Sequence, residues 1–101
     1  MLKQDPARSD LLSFSYSRKA KSFFSRHEDV QREFEQNIDK FYLKGQSEGI
    51  DIKRTSGSNR WIRMRMASYR VIYSIIKDRI IIVEVMLAGN RGEIYKQYNK
   101  R

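Results

Sequence analysis

The stretch over residues 60–73, Arg-Trp-Ile-Arg-Met-Arg-Met-Ala-Ser-Tyr-Arg-Val-Ile-Tyr, constrains this chain more than any other. Read with a period of two, Trp61, Arg63 and Arg65 fall on one face and Ile62, Met64 and Met66 on the other. Successive side chains of a strand point to opposite faces, so this alternation predicts a half-buried β-strand. After Ala67-Ser68 a second strand is predicted, in which Tyr69, Val71, Tyr73 and Ile75 alternate with Arg70, Ile72, Ser74 and Ile76. Such strands bury one face and present guanidinium groups on the other. Arginine suits phosphate, because its planar fork donates two parallel hydrogen bonds and keeps its charge at any physiological pH.

A chain of 101 residues, 40% of them hydrophobic, is the size of a single domain with one modest core. Its 21 Lys and Arg against 12 Asp and Glu leave a net charge of +9. The excess is concentrated in residues 61–101, which hold 9 basic and 3 acidic residues. A surface this positive attracts nucleic acid, an anionic membrane surface or an acidic protein. Cysteine is absent, which excludes disulfides, thiolate catalysis and cysteine-based metal sites, and one His is too few for a transition-metal centre. The longest apolar run, Ile80-Ile81-Ile82-Val83, is too short to span a bilayer, and the charged residues among the first ten do not form a secretory leader. The expectation is a soluble cytoplasmic protein, with no metal or other cofactor and no membrane partner.

In chain order, residues 1–10 read as a flexible arm and 11–101 as one domain. Leu12, Phe14 and Tyr16 alternate with serines and predict a short strand. Ser17 is placed to cap a helix carrying Ala20, Phe23 and Phe24 on one side. Ser25-Arg26-His27-Glu28 has the form of a capping box that opens a second helix, with Val30, Phe34, Ile38 and Phe41 as its apolar stripe and Gly45 as its stop. The two helices form a hairpin whose stripe needs a sheet to cover. Residues 45–59 are loop-like, with a brief extended stretch at Ile50 and Ile52; Lys53, Arg54 and Arg60 close that segment beside the central strand. Further strands are expected over 60–66, 69–76 and 79–87, linked at Ala67-Ser68 and Lys77-Asp78, the last of them central and covered on both faces. The fold class is α+β: an N-terminal strand and a helical hairpin packed on a small, mostly antiparallel twisted sheet.

The usual catalytic sets are poorly represented. His27 falls at a helix–helix joint and reads as an exposed loop residue. The acidic residues cluster on the second helix and read as a solvated face. Gly89-Asn90-Arg91-Gly92 is too short a pattern to define a phosphate loop. What remains is arginine with tyrosine: Arg63, Arg65 and Arg70 on adjacent strands, with Arg91 and Tyr95 just past the third.

These segments, taken together, resemble the RelE/ParE superfamily of bacterial toxin–antitoxin toxins over about residues 11–98. The resemblance lies in Ser17-Arg18-Lys19-Ala20-Lys21 at the first helix, Arg54-Thr55-Ser56-Gly57 at a turn, Arg63 to Tyr73 across two strands, and Asn90-Arg91-Gly92-Glu93-Ile94-Tyr95 at the end. It implies a RelE-like fold and, for the RelE branch, cleavage of mRNA on the ribosome by a metal-independent attack of a ribose 2′-hydroxyl on the neighbouring phosphate. The positions that match family active-site positions are Arg63, Arg65, Arg70, Arg91 and Tyr95. On this resemblance Arg70 and Arg91 hold the phosphate, Tyr95 stacks on a base or orients the nucleotide, and Arg63 or Arg65 takes part in proton transfer. Lys53, Arg54, Arg60, Trp61 and Lys96 are the accompanying RNA-binding candidates, with Trp61 either stacking on a base or packing on the sheet. Asn90 stands where several members have His, and Trp61 where one branch has Lys, so the general base and acid have no owner. The resemblance further implies a cognate antitoxin that wraps the toxin with an acidic segment, with operator DNA met only through that antitoxin. The alternative is a ParE-like toxin that inhibits DNA gyrase and cuts no nucleic acid.

Overall fold

Two helices lie against one face of a five-stranded sheet. The computed structural model describes residues 11–55, 57, 60–90, 92 and 94. The elements are β1 (Leu12–Tyr16), α1 (Arg18–Ser25), α2 (Glu28–Ile38) running into a π-helical turn (Asp39–Leu43), β2 (Asp51–Arg54), β3 (Ile62–Met66), β4 (Tyr69–Lys77) and β5 (Ile81–Asn90). The strand order is β1-β5-β4-β3-β2. The neighbouring pairs from β5 through β2 are antiparallel, whereas β1 runs parallel to β5, so the sheet is mixed. The helical hairpin and strands β2 to β4 lie between β1 and β5 in the chain, a connection long enough to allow the parallel pair. The expected arm, residues 1–10, lies outside the described residues.

The alternation expected in β3 and β4 is present. Met64, Met66, Val71 and Tyr73 are buried under the helices together with Ala20, Phe23, Phe24, Val30, Phe34 and Ile38. Phe34 sits at the centre, edge-on to Phe14 and Tyr73 and stacked near Phe24. On the other face Ile72, Leu87 and Ile94 form a smaller cluster, with Trp61 and Met86 packed against it. Strand β5 serves both faces through a bulge. Ile72 pairs with Leu87 but Tyr73 pairs with Val85, leaving Met86 as an extra residue. One inserted residue reverses the parity of the strand. Val83 and Val85 therefore face the helices before the bulge, while Leu87 faces the opposite side after it.

Ser17 joins this bulge to the helices. Its hydroxyl accepts from the Ala20 N–H at 3.1 Å, capping α1, and donates to the Met86 carbonyl at 2.5 Å. Its own N–H donates to the Val85 carbonyl at 2.9 Å. One side chain thus ends β1, starts α1 and donates to a carbonyl at the bulge.

Several boundaries differ from expectation. The capping box at Ser25 does not form: Ser25 lies inside α1 and donates to the Ser22 carbonyl, and His27 is the N-cap of α2 without a side-chain cap bond. His27 stacks on Phe23 at 4.3 Å and tilts against Tyr69 at 5.4 Å, so it is packed between rings rather than exposed. The stripe of α2 ends at Ile38, because the wider π turn carries Tyr42 rather than Phe41 to the core. Tyr42 meets Tyr73 there, hydroxyl to hydroxyl at 2.9 Å, and burial pushes both phenols up from their ordinary pKa. The acidic face of α2 is not wholly solvated either, since the Tyr16 hydroxyl donates to Glu35. Strand β4 runs one residue further than expected, to Lys77, and β5 spans Ile81–Asn90, displaced toward the C-terminus because residues 78–80 are used in the connection. Gly45 takes a positive φ of 66°, as expected of a helix stop, and Ala67 takes one of 53° in the tight β3–β4 link.

Replacing Ser17 by Ala removes the α1 cap and the hydroxyl bond to the Met86 carbonyl, so unfolding free energy falls by about 1–2 kcal/mol. Phe34→Ala, which empties the centre of the core, costs about 3–5 kcal/mol. Urea denaturation of the variants checks both values; equal losses would contradict the ranking.

Candidate nucleic-acid interface

The face of the sheet away from the helices gathers the cations. In β3, Arg63 and Arg65 stand two residues apart on that face, opposite the buried Met64. Cross-strand register places Arg65 directly beside Arg70, and Arg70 beside Gly89 on β5. One row therefore reads Asp51, Arg65, Arg70, Gly89 across four strands, and the next reads Lys53, Arg63, Ile72, Leu87. Glycine at position 89 leaves the strand beside Arg70 without a side chain of its own.

The three arginines differ in exposure. Arg65 is the open one, with 52% of its side chain exposed, and Arg63 keeps 18%. Arg70 is 3% exposed, and one of its terminal nitrogens donates to the Tyr69 carbonyl at 3.2 Å. The Nε atoms of Arg63 and Arg70 are both buried without a hydrogen-bond partner. A buried guanidinium nitrogen without an acceptor is costly, and an incoming anion can offset that cost. Arg70 is thus not a surface side chain reaching into solvent, as a simple strand alternation would have it. It lies beneath the surface on the same face as Ile72, Leu87 and Ile94, and is positioned to act from behind Arg65.

Asp51 is the acidic member of this cluster, and nothing in the sequence pattern singled it out. Its carboxylate accepts from Arg63 at 3.2 Å and lies 3.9 Å from Arg65. It offsets part of the repulsion between two like charges on one strand and occupies the place of an anion between them. The signal was in principle available: once β2 and β3 are paired as a hairpin, Asp51 falls opposite Arg65.

The other candidates divide between the two faces and one end of the sheet. Lys53 stands opposite Arg63 and belongs to the arginine face. Arg54 stands opposite Ile62, whose side chain packs on the helix side, and its charge acts on the Tyr42 phenol. It therefore lies on the reverse of the sheet from Arg63 and Arg65. Arg60 reaches across to Glu84, nitrogen to oxygen at 2.7 Å, and lies over the Trp61 ring at 4.7 Å. Arg60 and the Ser74 hydroxyl, which donates to Glu84 at 3.1 Å, hold the Glu84 carboxyl below its ordinary pKa. Trp61 packs against Ile72, Leu87 and Ile94, the packing role of the two expected for it. Arg91, Tyr95 and Lys96 lie outside the described residues. Among the described residues no three His, Asp or Glu side chains come together as a metal site, and no helix is long and apolar enough to cross a membrane.

The fold has a solved counterpart. A chain of the RelB–RelE antitoxin–toxin complex from Methanococcus jannaschii superposes with a TM-score of 0.57 at 16% sequence identity, covering 83% of this chain and 98% of that one. At that identity the likeness is one of fold, and it gives this chain a RelE-like α+β architecture. No protein-family model and no curated protein matches the chain.

If Asp51 holds the place of an anion between Arg63 and Arg65, Asp51→Asn removes a competing charge while keeping an acceptor for Arg63. Its affinity for single-stranded 2′-deoxy oligonucleotides at low salt then rises about 3–10-fold, and the gain shrinks as salt screens the site. Fluorescence anisotropy across a salt series checks this, and weaker binding by the variant would make Asp51 an organiser of the arginines instead.

Proposed function

We propose that the protein is the toxin of a type II toxin–antitoxin pair and acts as a ribosome-dependent mRNA endonuclease. The observation that carries the reading is the convergence of Arg63, Arg65 and Arg70 on one sheet face, with two buried Nε donors lacking partners. The RelE-like fold supports it, since the counterpart structure is a toxin bound to its antitoxin.

In this reading the scissile phosphate lies over Arg65 and Arg63, takes the place of the Asp51 carboxylate and is reached from beneath by Arg70. The ribose 2′-oxygen forms a bond to phosphorus as its proton passes to a base, and the bond from phosphorus to the 5′-oxygen breaks as that oxygen takes a proton from an acid, leaving a 2′,3′-cyclic phosphate and a 5′-hydroxyl. Charge that builds on the phosphoryl oxygens is met by fixed guanidinium groups, which need no reorganisation as it develops. Arg91 joins the phosphate clamp and Tyr95 stacks on or orients the nucleotide. Lys53 and Lys96 attract the flanking phosphates. No metal or other cofactor enters. A guanidinium keeps its proton throughout the physiological range and is a poor base, so proton transfer relies on Asp51 or on groups of the ribosome. The partner is an acidic antitoxin, which associates quickly with a chain of charge +9.

The burial of Arg70 favours a second reading: a ParE-like toxin in which Arg70 is structural and the arginine face binds DNA gyrase without cutting nucleic acid.

Primer extension on mRNA from cells expressing the protein separates the two. Codon-phased ends that require ribosomes are the expected result, and toxicity with DNA damage but no mRNA ends would establish the gyrase reading. Arg65→Ala, at an exposed position, is expected to slow cleavage by about 100-fold or more with the melting temperature unchanged. Arg70→Ala is expected to lower both cleavage and stability, and loss of stability alone would make Arg70 structural.

A further inference from the structure

Strand β4 outruns its neighbour. The β3–β4 ladder ends at Ile62 opposite Tyr73, but β4 continues to Lys77 and pairs over those last residues with β5 alone. The edge of residues 74–77 that faces away from β5 therefore has no strand beside it among the described residues. Unpaired strand edges recruit other strands unless a bulge, a proline or a covering element prevents it. Among the described residues no bulge, proline or strand covers this edge; Lys77 at its end and Arg60 beside Ser74 guard it with positive charge, which deters another basic chain and admits an acidic one.

A groove of about 800 Å³ opens along the overhang, between it and the β2–β3 hairpin. Its walls supply Ile52, Ile62, Ile75 and Ile76 as apolar surface and Lys53, Arg54, Arg60 and Lys77 as charge. No acidic residue is among the described residues that line it. Ile76 is 42% exposed, one of the few large hydrophobic side chains left in solvent. β-Branched side chains flanked by cations, beside a strand edge without a strand partner, match an extended segment that carries apolar and acidic side chains in turn. Main-chain hydrogen bonds to the edge supply affinity in such a pairing, and the flanking pockets supply specificity.

We infer that this groove is a docking site for an extended segment of a partner protein, rich in Glu or Asp and β-branched residues, which adds a short strand beside residues 74–77 in line with β3. The inference rests on the partner half of the proposed function and assigns that partner a place apart from the arginine face. The segment would meet Arg54 and Lys77 with its carboxylates and Ile75 and Ile76 with its apolar side chains, while Lys53 stands between the groove and the arginine face. Arg60 is already engaged with Glu84, so it borders the groove without needing to pair anew.

The test uses the full chain and a fluorescent dodecapeptide alternating Glu with Val or Ile. The same peptide with alternate backbone nitrogens methylated, so that one edge cannot donate, serves as control. The expected result is binding that weakens about tenfold or more on N-methylation and in Ile76→Glu or Lys77→Glu, with slower amide hydrogen exchange confined to residues 74–77. Arg65→Gln, on the arginine face, leaves it unchanged. Binding that ignores N-methylation and Ile76→Glu but is lost in Arg65→Gln would place the peptide on the arginine face and overturn the inference. So would protection of residues 74–77 by single-stranded RNA in place of the peptide, or no peptide binding at all. Ribosome-dependent cleavage of mRNA does not involve this partner, so the nuclease reading stands or falls on a separate measurement.

Discussion

The burial of one sheet face beneath the helical hairpin is the constraint on which the rest of the molecule depends. A strand has two faces, and once Met64, Met66, Val71 and Tyr73 are committed to the core with Phe24 and Phe34, every alternate residue must appear on the other side. Arg63, Arg65 and Arg70 are brought together in this way, without any attraction between them. Three like charges at neighbouring register positions repel, and the apolar contacts on the reverse of the same strands hold them in place. An anion-binding face built so is preorganised: the energy that assembles it is supplied by the core and not by the ligand.

The irregular features of the fold sit around that face. The bulge at Met86 turns Leu87 onto the arginine side and sets Gly89 beside Arg70, while Ser17 ties the bulge to the start of α1. The strained φ of Ala67 lies in the link that sets Arg65 opposite Arg70. Asp51 partly neutralises the cluster from the edge strand. A sheet optimised only for stability would have little use for a buried arginine with an unpartnered Nε, or for a glycine in an interior strand. Departures from local rules collect at functional positions, and here several fall within one patch.

The cations separate into two sets with different surroundings. Arg63, Arg65, Arg70 and Lys53 lie on or toward an arginine face bordered by Asp51. Arg54, Arg60 and Lys77 lie along a groove of isoleucines at the end of the sheet. Phosphate suits the first set, where guanidinium groups converge with little apolar surface at the open end. An amphipathic polypeptide suits the second, where charge alternates with apolar walls and an open backbone edge. A net charge of +9 hides this division, since it sums both sets.

How much of this was legible beforehand follows from the range of each interaction. Strand alternation over 60–76, the apolar stripes of both helices and the Ser17 cap are local, period-based signals, and they placed β1, α1, α2, β3 and β4, with Arg63 and Arg65 on one face of a strand and Arg70 on the next strand. The capping box at Ser25 does not form because α1 runs through Ser25, and His27 at the joint packs on its neighbour Phe23 and on the distant Tyr69. The turn to π geometry at Asp39 and the bulge at Met86 each shift a pattern by one residue to fit a neighbouring surface, and no periodicity within a single segment reports such a shift. The exposure of Arg65, the burial of Arg70, the transfer of Arg54 to the opposite face, the place of Asp51 and the overhang of β4 are decided by register between strands. Alternation along one strand says which residues share a side; only pairing across strands says which of them meet.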